Sequence, residues 1–497
     1  MNSNLFARLG GLALCLLLVF YQIVYFNDQL LLMAGYNVLR HPPFVVHLDF
    51  KGAVPRTDYI LQLVTWLGQR KVSGILVEYE TMFPFDGKLA DLSTKHHMSH
   101  EDIADMLLTA DRTGMEVIPY VNTFTDLQYV VDNADAFDDL VKSFGGQTRN
   151  SWNTCHKHKL PERLVTEIVD QVLSLHPNSR HIYIGSSKLA ELNTDTECLI
   201  MEKENRIGEL YYRHVQYISQ HIHHNWPGVT VLAAADALAD LSEVQLKAIS
   251  EYMQPVVVET DVVRSNDTES LITIGVDYFS KVWGASSYKG MRLPSANYVH
   301  LKDTLKNNGR WRELIGGVRR SDFGGLFLMG RSRQGYRAPL CELIPVALPS
   351  LALAMNVVLN NFTLEVGHRT AVGLGFNGFV YERPFIEAGR LKFPGSTVFK
   401  AVSELEVTMN DNKYRTMINI DVDFLQRLES SLRSVYPRHV VKEWMKLKVT
   451  AWTDKDVHEK LRPYGGGNVL STVPPTAEPV RLDKRGAVWL GSDEVHY

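Results

Sequence analysis

Polar side chains able to do chemistry recur directly after short apolar runs of this chain. His47, Asp49 and Lys51 follow or close the first run, Glu78, Tyr79 and Glu80 the second, and Asn122, Thr123 and Asp126 the third. Ser186, Ser187, Lys188 and Glu191 follow the fourth, Asp236 the fifth, and Glu259 and Asp261 the sixth. Trp283, Tyr288 and Lys289 belong to the seventh, and Arg331, Arg333 and Tyr336 to the eighth. Carboxylates so placed can move protons or accept hydroxyl hydrogens; the alternative is an ion-pair network with Lys51 or Lys289. Lys188 admits two readings: an amine made nucleophilic by burial, or the partner of neighbouring acids such as Glu191. Trp283 is either core or a platform for a ring. His96, His97, His156 and His158 have irregular spacing and read as solvated or structural, so no metal is expected.

The elements that must carry these residues are legible as alternating apolar and amphipathic stretches. Strands are expected at 44–50, 74–80, 116–124, 181–185, 229–234, 255–260, 281–288 and 325–329. Helices are expected between and after them at 57–70, 100–113, 162–175, 209–224, 242–253, 270–280, 298–314 and 339–359. Near-continuous apolar strands separated by amphipathic helices imply a parallel sheet covered on both faces. Eight such units fit an α/β fold of the (β/α)8 TIM-barrel type, whose functional groups lie at the C-terminal strand ends. No G-x-G-x-x-G opens a helix after the first strand, which argues against a doubly wound nucleotide fold. Residues 360–462 form a C-terminal extension with helical pieces at 422–435 and 440–447, and 463–497 reads as a tail.

Composition agrees with a globular body: 45% hydrophobic, 22% charged, net charge -4. No basic stripe is present, so nucleic acid is not an expected partner. The four cysteines, Cys15, Cys155, Cys198 and Cys341, show no zinc spacing. Residues 9–26 carry no charge over eighteen positions. At 1.5 Å per residue such a helix is about 27 Å long, near the thickness of a bilayer core, and longer than the usual h-region of a cleaved signal. Arg8 before it and Asp28 after it predict a cytosolic 1–8, a signal anchor at 9–26, a stem at 27–43 and a lumenal barrel at 44–359: a single-pass type II protein of the secretory pathway, in the Golgi or nearby. The sequons at Asn266 and Asn361 suit a lumenal glycoprotein.

The segments H-L-D-F-K-G, V-E-Y-E-T-M-F-P-F, V-W-G-A-S-S-Y-K-G and L-C-E-L-I-P-V-A-L-P-S-L resemble those of the hexosaminidase D-like β-N-acetylhexosaminidases of glycoside hydrolase family 20, over roughly 44–359. The resemblance implies a barrel that removes terminal N-acetylhexosamine from glycans, with the substrate's acetamido oxygen as nucleophile and no cofactor. It implies an Asp-Glu pair after the fourth strand, where one carboxylate orients the acetamido group and the other protonates the leaving oxygen. Those positions match Ser187 and Lys188, which can do neither. The tryptophans the family places after strands five, six and eight match Ala234, Glu259 and Arg331, and its third-strand Gly-His matches Thr125-Asp126. The expectation is therefore a divergent member with an impaired catalytic pair that binds glycans or regulates a relative, or one whose acid has moved to Glu191 or Asp236. His47, Asp49, Lys51, Glu78, Tyr79, Trp283 and Lys289 are the expected substrate contacts. Oligomeric state stays open.

Overall fold

The computed structural model describes residues 42–124, 127–133, 162–185, 207–260, 267–291, 296–379, 390–411 and 422–450. Eight parallel strands close into a barrel in sequence order, β8 pairing with β1. They are β1 Phe44–Asp49, β2 Gly74–Glu78, β3 Glu116–Asn122, β4 His181–Gly185, β5 Thr230–Ala234, β6 Met253–Val258, β7 Val282–Lys289 and β8 Phe323–Gly330. The helices in chain order are α1 Thr57–Gly68, α2 His100–Arg112, the short α3 Gln128–Asn133, α4 Glu162–Ser174, α5 Ile207–Asn225, α6 Glu243–Ser250, α7 Thr268–Tyr278, α8 Leu301–Gly316 and α9 Ile344–Asn360. The expected alternation is thus a (β/α)8 barrel.

Period two explains both cores. Val45, Leu76, Ile118, Tyr183, Leu232, Val256 and Phe327 point inward and fill the barrel. Their neighbours Val46, Ile75, Val77, Ile182, Val231 and Leu328 point outward against the helices. Strands buried on both faces have to read as unbroken apolar runs, which is what made them visible. Several helix starts are fixed chemically. Ser99 caps α2 by accepting from the Asp102 amide while the Asp102 carboxylate accepts from the Ser99 amide, and Ser242 with Gln245 does the same for α6.

The sixth strand begins at Met253, not Pro255 as expected, and α6 stops at Ser250. Proline suggested a break, but Pro255 sits inside the ladder opposite Ala233, where the strand continues through it. The C-terminal region is more helical than its sequence suggested. Besides α12 Val422–Arg433 and α13 Arg438–Met445, it forms α10 Leu364–Gly373 and α11 Ser396–Asp411. Leu428, Leu432, Val440, Val441 and Trp444 bury their side chains in the same apolar cluster that covers the barrel. The Arg56 amide donates to the Val435 carbonyl at 2.8 Å and the Ile344 amide to the Tyr436 hydroxyl at 3.2 Å, seating α12 and α13 beside the strand ends. Among the described residues no helix is long and apolar enough to cross a membrane; residues 9–26 lie outside them.

Candidate active site at the barrel mouth

Register sets the level of the polar groups. Asp49 pairs with Glu78, Glu78 with Tyr120, and Asn122 with Gly185, so the inward positions of β1 to β4 end together. His47, Asp49, Glu78 and Asn122 continue the inward faces of their strands above the apolar filling, and all are buried.

They form one network. The Lys51 ammonium donates to Glu78 Oε1 at 2.9 Å and lies 3.7 Å from Asp49 Oδ2 and 3.9 Å from Glu80 Oε1. Asn122 Nδ2 donates to Glu78 Oε1 at 2.9 Å and to Glu80 Oε1 at 3.1 Å. His47 Nδ1 faces the Gly330 amide at 3.4 Å, which leaves the proton on Nε2, 3.3 Å from Glu78 Oε2. Asp49 accepts the Ser332 amide at 2.7 Å and the Lys51 amide at 3.1 Å, tying β1 to the loop after β8. Burial opposes the Glu78 charge, but the Lys51 ammonium and the His47 N–H outweigh it and hold the carboxyl well below the usual carboxylate range. Glu78 is thus an ionised acceptor, unsuited to protonating a leaving group.

Two positions explain why the backbone is shaped for this network. A Cβ on Gly185 would stand 2.1 Å from Asn122 Oδ1, so only glycine at the end of β4 leaves room for the amide. Glu80, two residues after β2, holds φ at 46°, a left-handed conformation that costs a non-glycine residue on the order of 1–3 kcal/mol. That conformation aims its carboxylate back at Asn122 and Lys51.

The remaining expected contacts are placed differently. Tyr79 follows the outward parity of β2: its ring packs edge-on against Phe50 and Phe83, and its hydroxyl donates to His176 Nε2 at 3.0 Å. His176 donates through Nδ1 to the Val172 carbonyl, and burial pulls its pKa down to about 4. Lys289 is buried but does not join the acids; its ammonium donates to the carbonyls of Arg331 and Glu342 and lies 3.3 Å from Ser332 Oγ. It closes the end of β7 onto the loop after β8. Trp283 is the second residue of β7 and belongs to the lower filling of the barrel. Its ring lies 5.3 Å from His181 and 5.4 Å from Phe327, and Nε1 donates to Gln254 at 2.7 Å. Gly324 makes way for it, since a Cβ there would meet the indole at 2.2 Å. Of the two readings of this ring, core and sugar platform, its place near the start of β7 supports core, at the end of the barrel opposite the mouth, and not the expected substrate contact.

Of the rebuilt positions, Ala234 is buried with its carbonyl taken by the Tyr211 hydroxyl, and the Glu259 carboxylate accepts from the Thr268 hydroxyl. Asp236 is exposed just after β5. Burial pushes the nearby Tyr183 phenol well above its ordinary pKa, the Asp236 charge adds to the rise and the Arg331 guanidinium opposes it. Asn361, exposed at the end of α9, precedes Thr363, whose hydroxyl caps α10. Ser187, Lys188, Glu191 and Asn266 lie outside the described residues, as do Asp126 and Asp261. Among the described residues no group of three or more His, Cys, Asp or Glu could hold a metal ion.

One contact had no sequence signal. Arg333 donates from Nε to the Lys51 carbonyl at 3.3 Å and from Nη1 to the Ala338 carbonyl at 2.7 Å, while its Nη2 meets Glu443 of α13 at 2.7 Å. The C-terminal helices are thereby pinned to the loop that carries Lys51. Glu443 lies 110 residues away in sequence, a separation no local pattern encodes.

No family model matches the chain. It is 29% identical over 380 residues to "Hexosaminidase D" of Homo sapiens, covering 74% of this chain and 76% of the human one. Among solved structures, a GH20 catalytic module of the pneumococcal exo-β-D-N-acetylglucosaminidase StrH aligns with a TM-score of 0.47 at 10% identity, covering 79% of this chain and 96% of that one. With "Hexosaminidase D" of Bos taurus the identity is 31% over 344 residues, 67% of this chain and 97% of the bovine one. That match spans nearly the whole relative, and the chain belongs to the hexosaminidase D family.

Proposed function

We propose that this protein recognises glycans bearing terminal N-acetylhexosamine without hydrolysing them, from the lumenal side of a secretory-pathway membrane to which residues 9–26 anchor it, as a glycan receptor or a regulator of an active relative. The observation that carries the reading is the engagement of the mouth acids. Glu78 is ionised and shared among Lys51, His47 and Asn122. Asp49 is held by two backbone amides, and Glu259 by Thr268. All three are engaged as hydrogen-bond acceptors, and Ser187 and Lys188 stand where the resemblance puts the pair that would supply the proton donor. A lysine ammonium beside an oxocarbenium-like transition state repels it, and loss of general acid catalysis alone is worth about 10²–10⁴-fold in rate. The anchor is supported by the uncharged stretch and its flanking charges, the lumenal side by Arg8 and the two sequons.

A second reading, an exo-hexosaminidase with a relocated acid, is favoured by one placement: Asp236 stands exposed after β5, and its charge, with that of Arg331, bears on Tyr183. Glu191 is the other substitute. Titrating the full-length protein in detergent with N-acetylglucosamine- and N-acetylgalactosamine-terminated oligosaccharides tests the leading reading. Saturable binding with the oligosaccharide recovered intact supports it. Absence of binding, or recovery of the free monosaccharide, defeats it.

A further inference from the structure

A second recognition surface lies on the flank of the barrel. Helices run antiparallel to their strands in this fold, so the C-terminal ends of α1 and α2 stand toward the N-terminal strand ends, away from the mouth. There the two helices meet closely, Gly68 lying where a Cβ would touch Thr113, and the segment 391–394 packs across them. Between these three walls runs an open groove of about 830 Å3, a volume within the range of small-molecule sites.

Its chemistry is specific. Arg112 and Lys392 line it, both exposed, and neither makes an ion pair among the described residues. Among the described residues no carboxylate lines it. Thr65 donates its hydroxyl hydrogen to the Leu61 carbonyl at 2.8 Å, Thr109 to Asp105 at 2.8 Å and Thr113 to Ala110 at 2.9 Å, so their oxygens remain as acceptors. The side-chain amides of Gln62 and Gln69 line the same groove and hold no hydrogen bond among the described residues. Leu61, Leu391 and Pro394 add half-buried apolar surface. The walls are fixed in advance: Trp66 Nε1 donates to the Lys392 carbonyl at 3.3 Å, the Arg70 guanidinium lies 3.6 Å over the Trp66 ring, and the Lys392 amide donates to the Leu374 carbonyl at 2.8 Å.

We propose that this groove binds an acidic saccharide, a uronic-acid or sulfated sugar whose anionic substituent is taken by Arg112 and Lys392. Pyranose hydroxyls both donate and accept, and the groove offers free amide donors and free threonine acceptors together. The C–H face of the ring covers Leu61, Leu391 and Pro394. An extended acidic peptide would instead seek a row of backbone partners, which two helix ends do not present. The site is independent of the mouth and of any turnover there.

The test is calorimetric titration of the full-length protein with trigalacturonate, which carries no acetamido group, beside neutral galactotriose and triglutamate. The expected result is binding of trigalacturonate, at least tenfold weaker binding of the other two, and at least tenfold loss in R112Q/K392Q. Q62A/Q69A, which leaves the charges in place, is expected to weaken trigalacturonate severalfold. S187D/K188E is expected to leave it unchanged. Absence of trigalacturonate binding, equal binding of triglutamate, or full binding by both groove variants overturns the proposal. Loss in S187D/K188E with R112Q/K392Q unaffected places the ligand at the mouth and overturns it equally.

Discussion

Replacing Lys51 by methionine probes the mouth network most sharply. The substitution keeps the unbranched stem and removes the only ammonium within 4 Å of Asp49, Glu78 and Glu80 among the described residues. Removing one partner of a buried ion pair costs about 3–5 kcal/mol, because the abandoned charge stays desolvated. We expect K51M to lose about that much stability at pH 7, measured by urea unfolding followed through tryptophan fluorescence. The pH dependence gives the mechanism. In the wild type Glu78 is depressed below its unfolded value, so its contribution is present above the unfolded pKa and is lost as pH falls through that range. In K51M burial dominates, the folded pKa rises above the unfolded one, and the penalty fades as the carboxyl protonates on acidification. The gap between the two proteins is therefore expected to narrow from pH 7 to pH 4. E78Q placed on K51M is expected to recover most of the loss, a coupling between neighbours. A gap below about 1 kcal/mol at pH 7, or one that does not change with pH, refutes the reasoning.

Other outcomes follow from the same contacts. Gly185→Ala drives a methyl into Asn122 and is expected to destabilise the protein by about 1–3 kcal/mol, the cost of overpacking, visible as a lower urea midpoint. His176 is neutral and depressed to about 4 from 6.5, so the unfolded state binds the extra proton between those values. Stability then falls as pH drops through that window by about 3.5 kcal/mol, and H176Q is expected to flatten that part of the profile. Trp283→Ala empties the lower barrel and is expected to cost about 3–5 kcal/mol while leaving the affinity of folded protein for N-acetylhexosamine glycans unchanged; a selective loss of affinity would return the ring to the sugar site.

How much was legible differs between fold and site. Strands such as His181–Gly185 stood out because burial on two faces leaves an unbroken apolar run, and helices such as His100–Arg112 because burial on one face writes a period into the chain. His47, Asp49 and Glu78 were collected as strand-end residues, and the register brings their inward-facing positions together at the mouth. Tyr79 was misjudged because adjacent strand residues face opposite ways, so a single strand end contributes to two environments. Trp283 was counted among the substrate contacts although the expected strand 281–288 already put it near the strand start, where the alternative reading of its ring as core holds. The Arg333–Glu443 contact and the helices Leu364–Gly373 and Ser396–Asp411 depend on packing against the finished barrel, so their weak local patterns carried little signal.

In the proposed function the mouth binds N-acetylhexosamine without turning it over. Release of the chromophore from an aryl N-acetyl-β-glucosaminide and an aryl N-acetyl-β-galactosaminide by the full-length protein tests it most directly, with E191Q and D236N run in parallel. No release above the no-enzyme rate is expected from any of the three proteins. Release by the wild type that either variant abolishes would contradict it and identify the relocated acid.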